Sequence, residues 1–244
     1  MRIRRCGLHF LTLATLAVGV SGCGVTRLSR SEEIQIGQQV SREIESQYRT
    51  YENPTVSRLG QRLAAVSERP DLPYRFRVIN RPEINAVSLP GGPVYVFEGL
   101  LHATGDDDQM LAGVIAHEIG HIAKRHAAQQ IERSQWYGIG IEVLTGGGSA
   151  RDIATIAANL QLLHYSRKQE YEADTEAVRY TRAAGLNPSG LVRFFDLLLQ
   201  RQKRGDTTIA WLRTHPTTEA RRNRVAQLIQ EQSARETTSA TAVR

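Results

Sequence analysis

From residue 108 onward, apolar side chains return at helical intervals at Leu111, Val114, Ile115, Ile119 and Ile122, with no proline among them. That period predicts a helix running through Val114–His126. Upstream, Ser31 followed by Glu32 and Glu33 caps a helix expected to reach about Tyr48, and Asn53–Pro54 opens another with Val56, Leu59, Leu63 and Val66 as its buried stripe. Then the period changes. Tyr74–Ile79 alternates apolar and basic residues, and two further strands, Asn85–Leu89 and Val94–Phe97, flank the turn Pro90-Gly91-Gly92-Pro93. These are the signals of a small three-stranded sheet. Glu98–Ala103 begins a short helix, and Asp106, Asp107 and Asp108 suit the positive end of the helix that follows.

The second half is helical. Patterns run over 152–164, over 165–184 as far as Gly185 and Asn187-Pro188, over 189–204 with Leu191, Phe194, Phe195, Leu198 and Leu199 on one face, and over 217–232. The glycine-rich stretch 135–149 reads either as a plain connection or as a lid over a cleft. Residues 233–244 lack apolar periodicity and are expected to be disordered. The fold class is therefore α+β and mostly helical, with one domain over 31–232.

The N-terminus adds targeting. Arg2, Arg4 and Arg5 precede an apolar run from Leu8 to Val20 and then Gly22-Cys23, the layout of a secretory signal rather than a spanning helix. The stretch resembles a bacterial lipobox, so residues 1–22 form a lipoprotein signal peptide, Cys23 is acylated, and 23–30 link the lipid to the domain. By resemblance to lipoprotein sorting, Gly24 after the cysteine favours the outer membrane. Cys6 leaves with the signal and Cys23 is modified, so the domain contains no disulfide. Loss of three arginines with the signal reduces 31 basic residues to 28 against 25 acidic ones. No aromatic-basic platform for nucleic acid is visible.

Chemistry concentrates in His117-Glu118-Ile119-Gly120-His121. Histidines four apart lie one turn from each other, about 6 Å along the axis, so both imidazoles reach one ion. Glu118 sits beside that ion and can take a proton from a water. Catalytic zinc needs a third protein ligand, and His126, His164, Glu170, Glu172, Glu176 and His215 are candidates. Glu170 and Asp174 share a helix face, with Glu172 nearly opposite, so Glu170 can ligate while Asp174 accepts the outer N–H of a liganding histidine. His126 and His164 read as ordinary polar residues.

Four segments, H-E-I-G-H at 117–121, S-R-K-Q-E-Y-E-A-D at 166–174, N-A-V-S-L-P-G-G at 85–92 and T-H-P-T-T-E-A-R at 214–221, resemble the gluzincin metallopeptidases of the HtpX and CAAX-prenyl endopeptidase family, closest to its soluble periplasmic BepA-like branch. The resemblance covers roughly residues 30 to 230. It implies a zincin-like domain with one Zn2+ bound by His117, His121 and Glu170, and Glu118 as general base. It further implies that His215 approaches the metal, either as a fourth ligand that shuts the site or as a donor to a developing oxyanion, whereas a plain loop histidine remains the alternative. Arg221 takes the family's arginine position, to contact substrate or hold its loop. Asn85 is a possible side-chain contact for a peptide pairing with the sheet edge. The implied substrates are misfolded or stalled envelope proteins, met in the periplasm by a lipid-anchored enzyme. The competing expectation is a zinc-stabilised, chaperone-like lipoprotein that binds clients with little cleavage.

Overall fold

The structure, a computed structural model, describes residues 27–133, 139, 142, 149–161, 164–216 and 219–242. The first helix, α1 (Arg30–Gln47), is capped by Ser29 rather than Ser31, because Ser29 and Glu32 stand at capping-box spacing and satisfy each other's backbone amides. A two-residue strand, β1 (Thr50–Tyr51), precedes α2 (Pro54–Ala64), whose N-terminal amides are accepted by the Asn53 side chain. Strands β2 (Arg75–Ile79), β3 (Ala86–Ser88) and β4 (Pro93–Phe97) complete the sheet.

The sheet has four strands, not three, in the order β1-β2-β4-β3. β1 escapes pattern recognition because two residues are too few to show alternation, yet Thr50 and Tyr51 pair antiparallel with Ile79 and Val78. β2 and β4 run parallel, and β3 pairs antiparallel with β4, leaving β3 on an edge. Central β4 is buried at every position, as expected of a strand covered on both faces. One face carries Phe76, Val78, Val94 and Val96 into the larger core; the other carries Ile79, Val87, Tyr95 and Phe97 into a second cluster with Ile36, Val40 and Ile44 of α1.

After α3 (Glu98–Thr104) comes α4 (Asp108–Ala123), buried at every residue from Leu111 to Ala123. It is the hydrophobic axis of the larger core. The helix stops earlier than its pattern suggests: Lys124 caps it, Arg125 takes φ 60°, and α5 (His126–Arg133) starts in a new direction. That costly backbone is held by Arg125 itself, which donates to the Glu33 and Glu132 carboxylates and to the Leu28 carbonyl.

The remaining helices are α6 (Ala150–Gln161), α7 (Arg167–Ala183), α8 (Ser189–Lys203), α9 (Trp211–Thr214) and α10 (Glu219–Ala242). α10 continues through 233–242, a segment expected to be disordered. Its Ser, Ala, Arg, Glu and Thr residues include neither glycine nor proline, so nothing breaks the helix begun before them. The signal segment and Cys23 lie outside the described residues, as does nearly all of the glycine-rich stretch 135–149. Among the described residues no helix is long and apolar enough to cross a membrane.

Candidate metal centre

Helix α4 presents His117 and His121 one turn apart, and α7 brings Glu170 against them. The two helices cross closely because residue 120 is glycine: a Cβ there would stand 3.0 Å from the Ala173 carbonyl oxygen. α7 starts cleanly at Ser166, which forms a capping box with Gln169 and fixes Glu170 in the first turn. The fourth member, His215, follows α9. Its amide donates to the Trp211 carbonyl at 2.8 Å, and its ring stacks on the Trp211 indole with centroids 4.2 Å apart.

One ligand atom from each of His117, His121, Glu170 and His215 can be chosen so that all lie within 4.8 Å of one another, and all four residues are buried. His117 Nε2 is 3.0 Å from His121 Nε2 and 3.3 Å from His215 Nδ1. The Glu170 carboxylate stands 3.7 Å from His117 Nε2, 3.5 Å from His121 Nε2 and 3.0 Å from His215 Nδ1. A tetrahedron built on zinc bonds of about 2.0–2.1 Å has edges of about 3.3–3.4 Å. The observed contacts, 3.0–3.7 Å with either Glu170 oxygen counted, bracket that length, so the donor set fits zinc. Nitrogens and a carboxylate are also the donors that ion accepts.

Glu118 lies immediately beside the cluster and is wholly buried. Ser88 Oγ donates to its Oε2 at 2.7 Å, while Oε1 has no hydrogen-bond partner among the described residues and faces His215 Nε2 at 3.5 Å. Behind the ligands, His117 Nδ1 contacts Asp174 Oδ1 at 3.0 Å. Arg221 clamps that carboxylate with two hydrogen bonds, 2.9 and 2.7 Å, donates to the Pro216 carbonyl at 3.0 Å, and pairs with Glu170. Its guanidinium rests over the Phe195 ring. Tyr165 covers the other side, stacked on His121 with centroids 3.9 Å apart.

The electrostatics follow from burial opposed by charge. Burial alone would raise the carboxyl pKa values of Asp174 and Glu170, but Arg221 and His117 for the first, and His215, His117 and Arg221 for the second, hold both below the usual carboxylate range. Burial drives His121 well below an ordinary imidazole, helped by the neighbouring histidines. His215 goes the other way: burial opposes its cation, but Glu170 and Glu118 outweigh burial and raise it. His126 is lowered by burial in spite of Glu172.

The structure thus brings together His117, Glu118, His121, Glu170, Asp174, His215 and Arg221. Arg221 is 2% exposed, with contacts to Asp174, Glu170 and the Pro216 carbonyl. Asn85 stands apart, in a cavity of about 280 Å³ with Tyr48, Arg81, Phe97 and Arg213, and its buried Oδ1 lacks a partner among the described residues. His164 and His102 are exposed, and Glu176 pairs with Lys124 and Arg179. Sequence reasoning assigned no role to Ser88, Tyr165 or Trp211, and read His126 as ordinary although its ring is fully buried against His121. Ser88 was within reach, since it lies inside a quoted motif; only the strand register shows that it faces Glu118.

Comparison with known proteins agrees with this geometry. Relatives include the beta-barrel assembly-enhancing protease of Escherichia coli (strain K12), 29% identical over 221 residues, or 82% of this chain and 45% of the relative. The mitochondrial metalloendopeptidase OMA1 of Arabidopsis thaliana is 34% identical over 164 residues, covering 67% of this chain and 33% of the relative. Metalloprotease YcaL of Escherichia coli (strain K12) is 28% identical over 190 residues, covering 70% and 71%. The chain spans less than half the length of the first two. The pattern of Peptidase family M48 matches residues 50–229, which include every residue of the buried cluster, and the chain belongs to that family.

Proposed function

We propose that the protein is a zinc-dependent endopeptidase that hydrolyses polypeptides of the bacterial cell envelope. One observation carries the reading: three imidazole nitrogens and a carboxylate within 4.8 Å of one another in a buried core, with the Glu118 carboxylate beside them. His117, His121 and Glu170 would hold one Zn2+ per chain, with His215 within reach as a fourth donor. The ion, when bound, lowers the pKa of water to about 7 and polarises a peptide carbonyl.

The chain's own residues do the rest. Ser88 fixes one Glu118 oxygen, so the other, unpartnered oxygen takes the proton from water and returns it to the leaving amine. With His215 as a fourth protein donor the site would be closed to water, and it would open on a shift of His215. The Trp211 stack and the Tyr165 amide bonded to the Thr214 carbonyl hold it in place. Edge strand β3 packs next to α4, and once uncovered it would pair with an extended peptide by strand addition.

We further propose that residues 1–22 are removed and that acylated Cys23 anchors the enzyme in the periplasm, at the outer membrane. The N-terminal pattern and the name of the beta-barrel assembly-enhancing relatives support that setting and a diet of misfolded or stalled envelope proteins. Casein cleavage with and without chelator, together with elemental analysis, tests the enzyme. Glu118→Gln is expected to keep zinc and lose cleavage by at least a hundredfold. If the wild type never cleaves and Glu118→Gln complements a deletion, the protein is instead a zinc-stabilised binder of clients. Mass spectrometry of the mature N-terminus tests the anchor, which an unmodified Cys23 would rule out.

A further inference from the structure

The two helical histidines are supported differently from behind. His117 backs directly onto a carboxylate, Asp174, at 3.0 Å. His121 does not. Its Nδ1 meets another imidazole nitrogen, Nδ1 of His126, at 2.9 Å, and Nε2 of His126 meets Glu172 Oε2 at 3.0 Å. His126 is fully buried, whereas the Glu172 side chain is 40% exposed and lines a cleft of about 730 Å³ on the outer face of α7 with Lys168 and Tyr171.

We infer that His126 and Glu172 form a relay that sets the tautomer of His121 and so prepares it to bind the metal, making both positioning residues of the site. The inference rests on the metal-centre reading above. Two nitrogens 2.9 Å apart share one proton, so one ring donates and the other accepts. Glu172 accepts only, which places the His126 proton on Nε2 and leaves a lone pair on its Nδ1. His121 must then donate from Nδ1, which leaves its Nε2 lone pair facing His117, Glu170 and His215. The opposite assignment would put a proton on His121 Nε2, where it would block the ligand position. Each step removes one alternative.

The backbone is arranged for this. The break at Lys124 and Arg125, with Arg125 at φ 60°, starts α5 at His126 and folds that ring against His121. A continuous helix would carry residue 126 nine positions beyond His117, which is half a turn off its face. Outer partners of metal-bound histidines are typically worth 10- to 100-fold in affinity, and here that support extends one imidazole further, to the surface.

The test is zinc affinity of the full chain by competition with a chromophoric chelator, with the Co2+ absorption spectrum as a second readout. His126→Phe keeps a buried ring without an acceptor and is expected to weaken zinc binding 10- to 100-fold. His126→Asn returns an acceptor at the Nδ1 position and should restore affinity to within a few-fold. Glu172→Ala lies at the surface, so folding is preserved, and it should weaken binding by several-fold and alter the Co2+ bands. Equal affinity for wild type, His126→Phe and Glu172→Ala overturns the relay, as does Asn performing no better than Phe. A wild type that binds no zinc defeats the metal centre itself, a distinguishable result.

Discussion

Replacing Arg221 by Met should destabilise the chelator-treated protein by about 3–5 kcal/mol, the cost of breaking a buried ion pair from one side. Arg221 is 2% exposed, and the carboxylates it serves, Asp174 and Glu170, are 0% and 2% exposed. At an effective dielectric of about 20, each contact near 3 Å contributes roughly 5 kcal/mol of attraction before desolvation. Met keeps an apolar chain of similar length but removes the guanidinium over Phe195 and leaves two carboxylates in the core without their cation. With a slope of roughly 2.5 kcal/mol/M, the urea midpoint falls by about 1.5 M. The pH dependence should also change sign. In the wild type both folded pKa values are depressed below 3.8 and 4.5, so their stabilisation is present above those values and lost as pH falls through the folded ones. Without Arg221, burial raises them, the folded state binds more protons than the unfolded one, and stability increases as pH falls from 7 toward 5. Asp174→Asn added to Arg221→Met should recover part of the loss. A loss under 1 kcal/mol, or an unchanged sign of the pH slope, would refute the argument.

Gly120→Ala forces α7 away from α4 at the Ala173 carbonyl; overpacking of about 1–3 kcal/mol is expected, with weaker zinc binding because Glu170 moves too, and titration showing normal affinity would count against that coupling. Asp107 caps α4, accepting from the Gln109 and Met110 amides while Arg193 donates twice to its carboxylate. Asp107→Ala should cost about 1 kcal/mol at pH 7 in urea unfolding. Arg193 depresses the Asp107 pKa below 3.8, so the difference from wild type should shrink as pH falls through the folded value; a difference that grows would contradict the assignment. His215→Ala removes the fourth tetrahedral group, so zinc affinity should fall about tenfold while basal casein cleavage rises, and neither change occurring would remove the closed-state reading.

What was legible beforehand is what a short stretch decides alone. The spacing of His117 and His121, and of Glu170 and Asp174, follows from one helical turn, and the turn 90–93 is fixed by proline and glycine. What stayed hidden depends on contacts far along the chain. The break after Ala123 needs Glu33 and the Leu28 carbonyl to hold Arg125, so the helical pattern runs on through His126 as if nothing happened there. Ser88 reads as a polar residue in a strand until pairing with Val94 turns it toward Glu118. The resemblance singles out Arg221 among the arginines of 221–224, but only the crossing of α10 on α7 shows that it clamps Asp174 while half-buried Arg222 pairs with Asp196.

Charge ties these residues into one argument. Within the buried shell, Glu118, Glu170 and Asp174 carry three negative charges when ionised, and Arg221 supplies one positive charge. Counted in the neutral form that ligates a metal, the histidines add none, so the shell is short by two positive charges, the charge of one divalent cation. A core with that deficit is costly to form, because unpaired ions lose hydration without compensation. A bound divalent cation would therefore close the electrostatics of the fold as well as supply its chemistry. Metal binding should then raise the unfolding midpoint beyond what four ligand bonds to a neutral pocket would predict, and Glu118→Gln, which removes one negative charge, should stabilise the chelator-treated chain while abolishing cleavage. If Glu118→Gln instead destabilises that chain, the charge count fails.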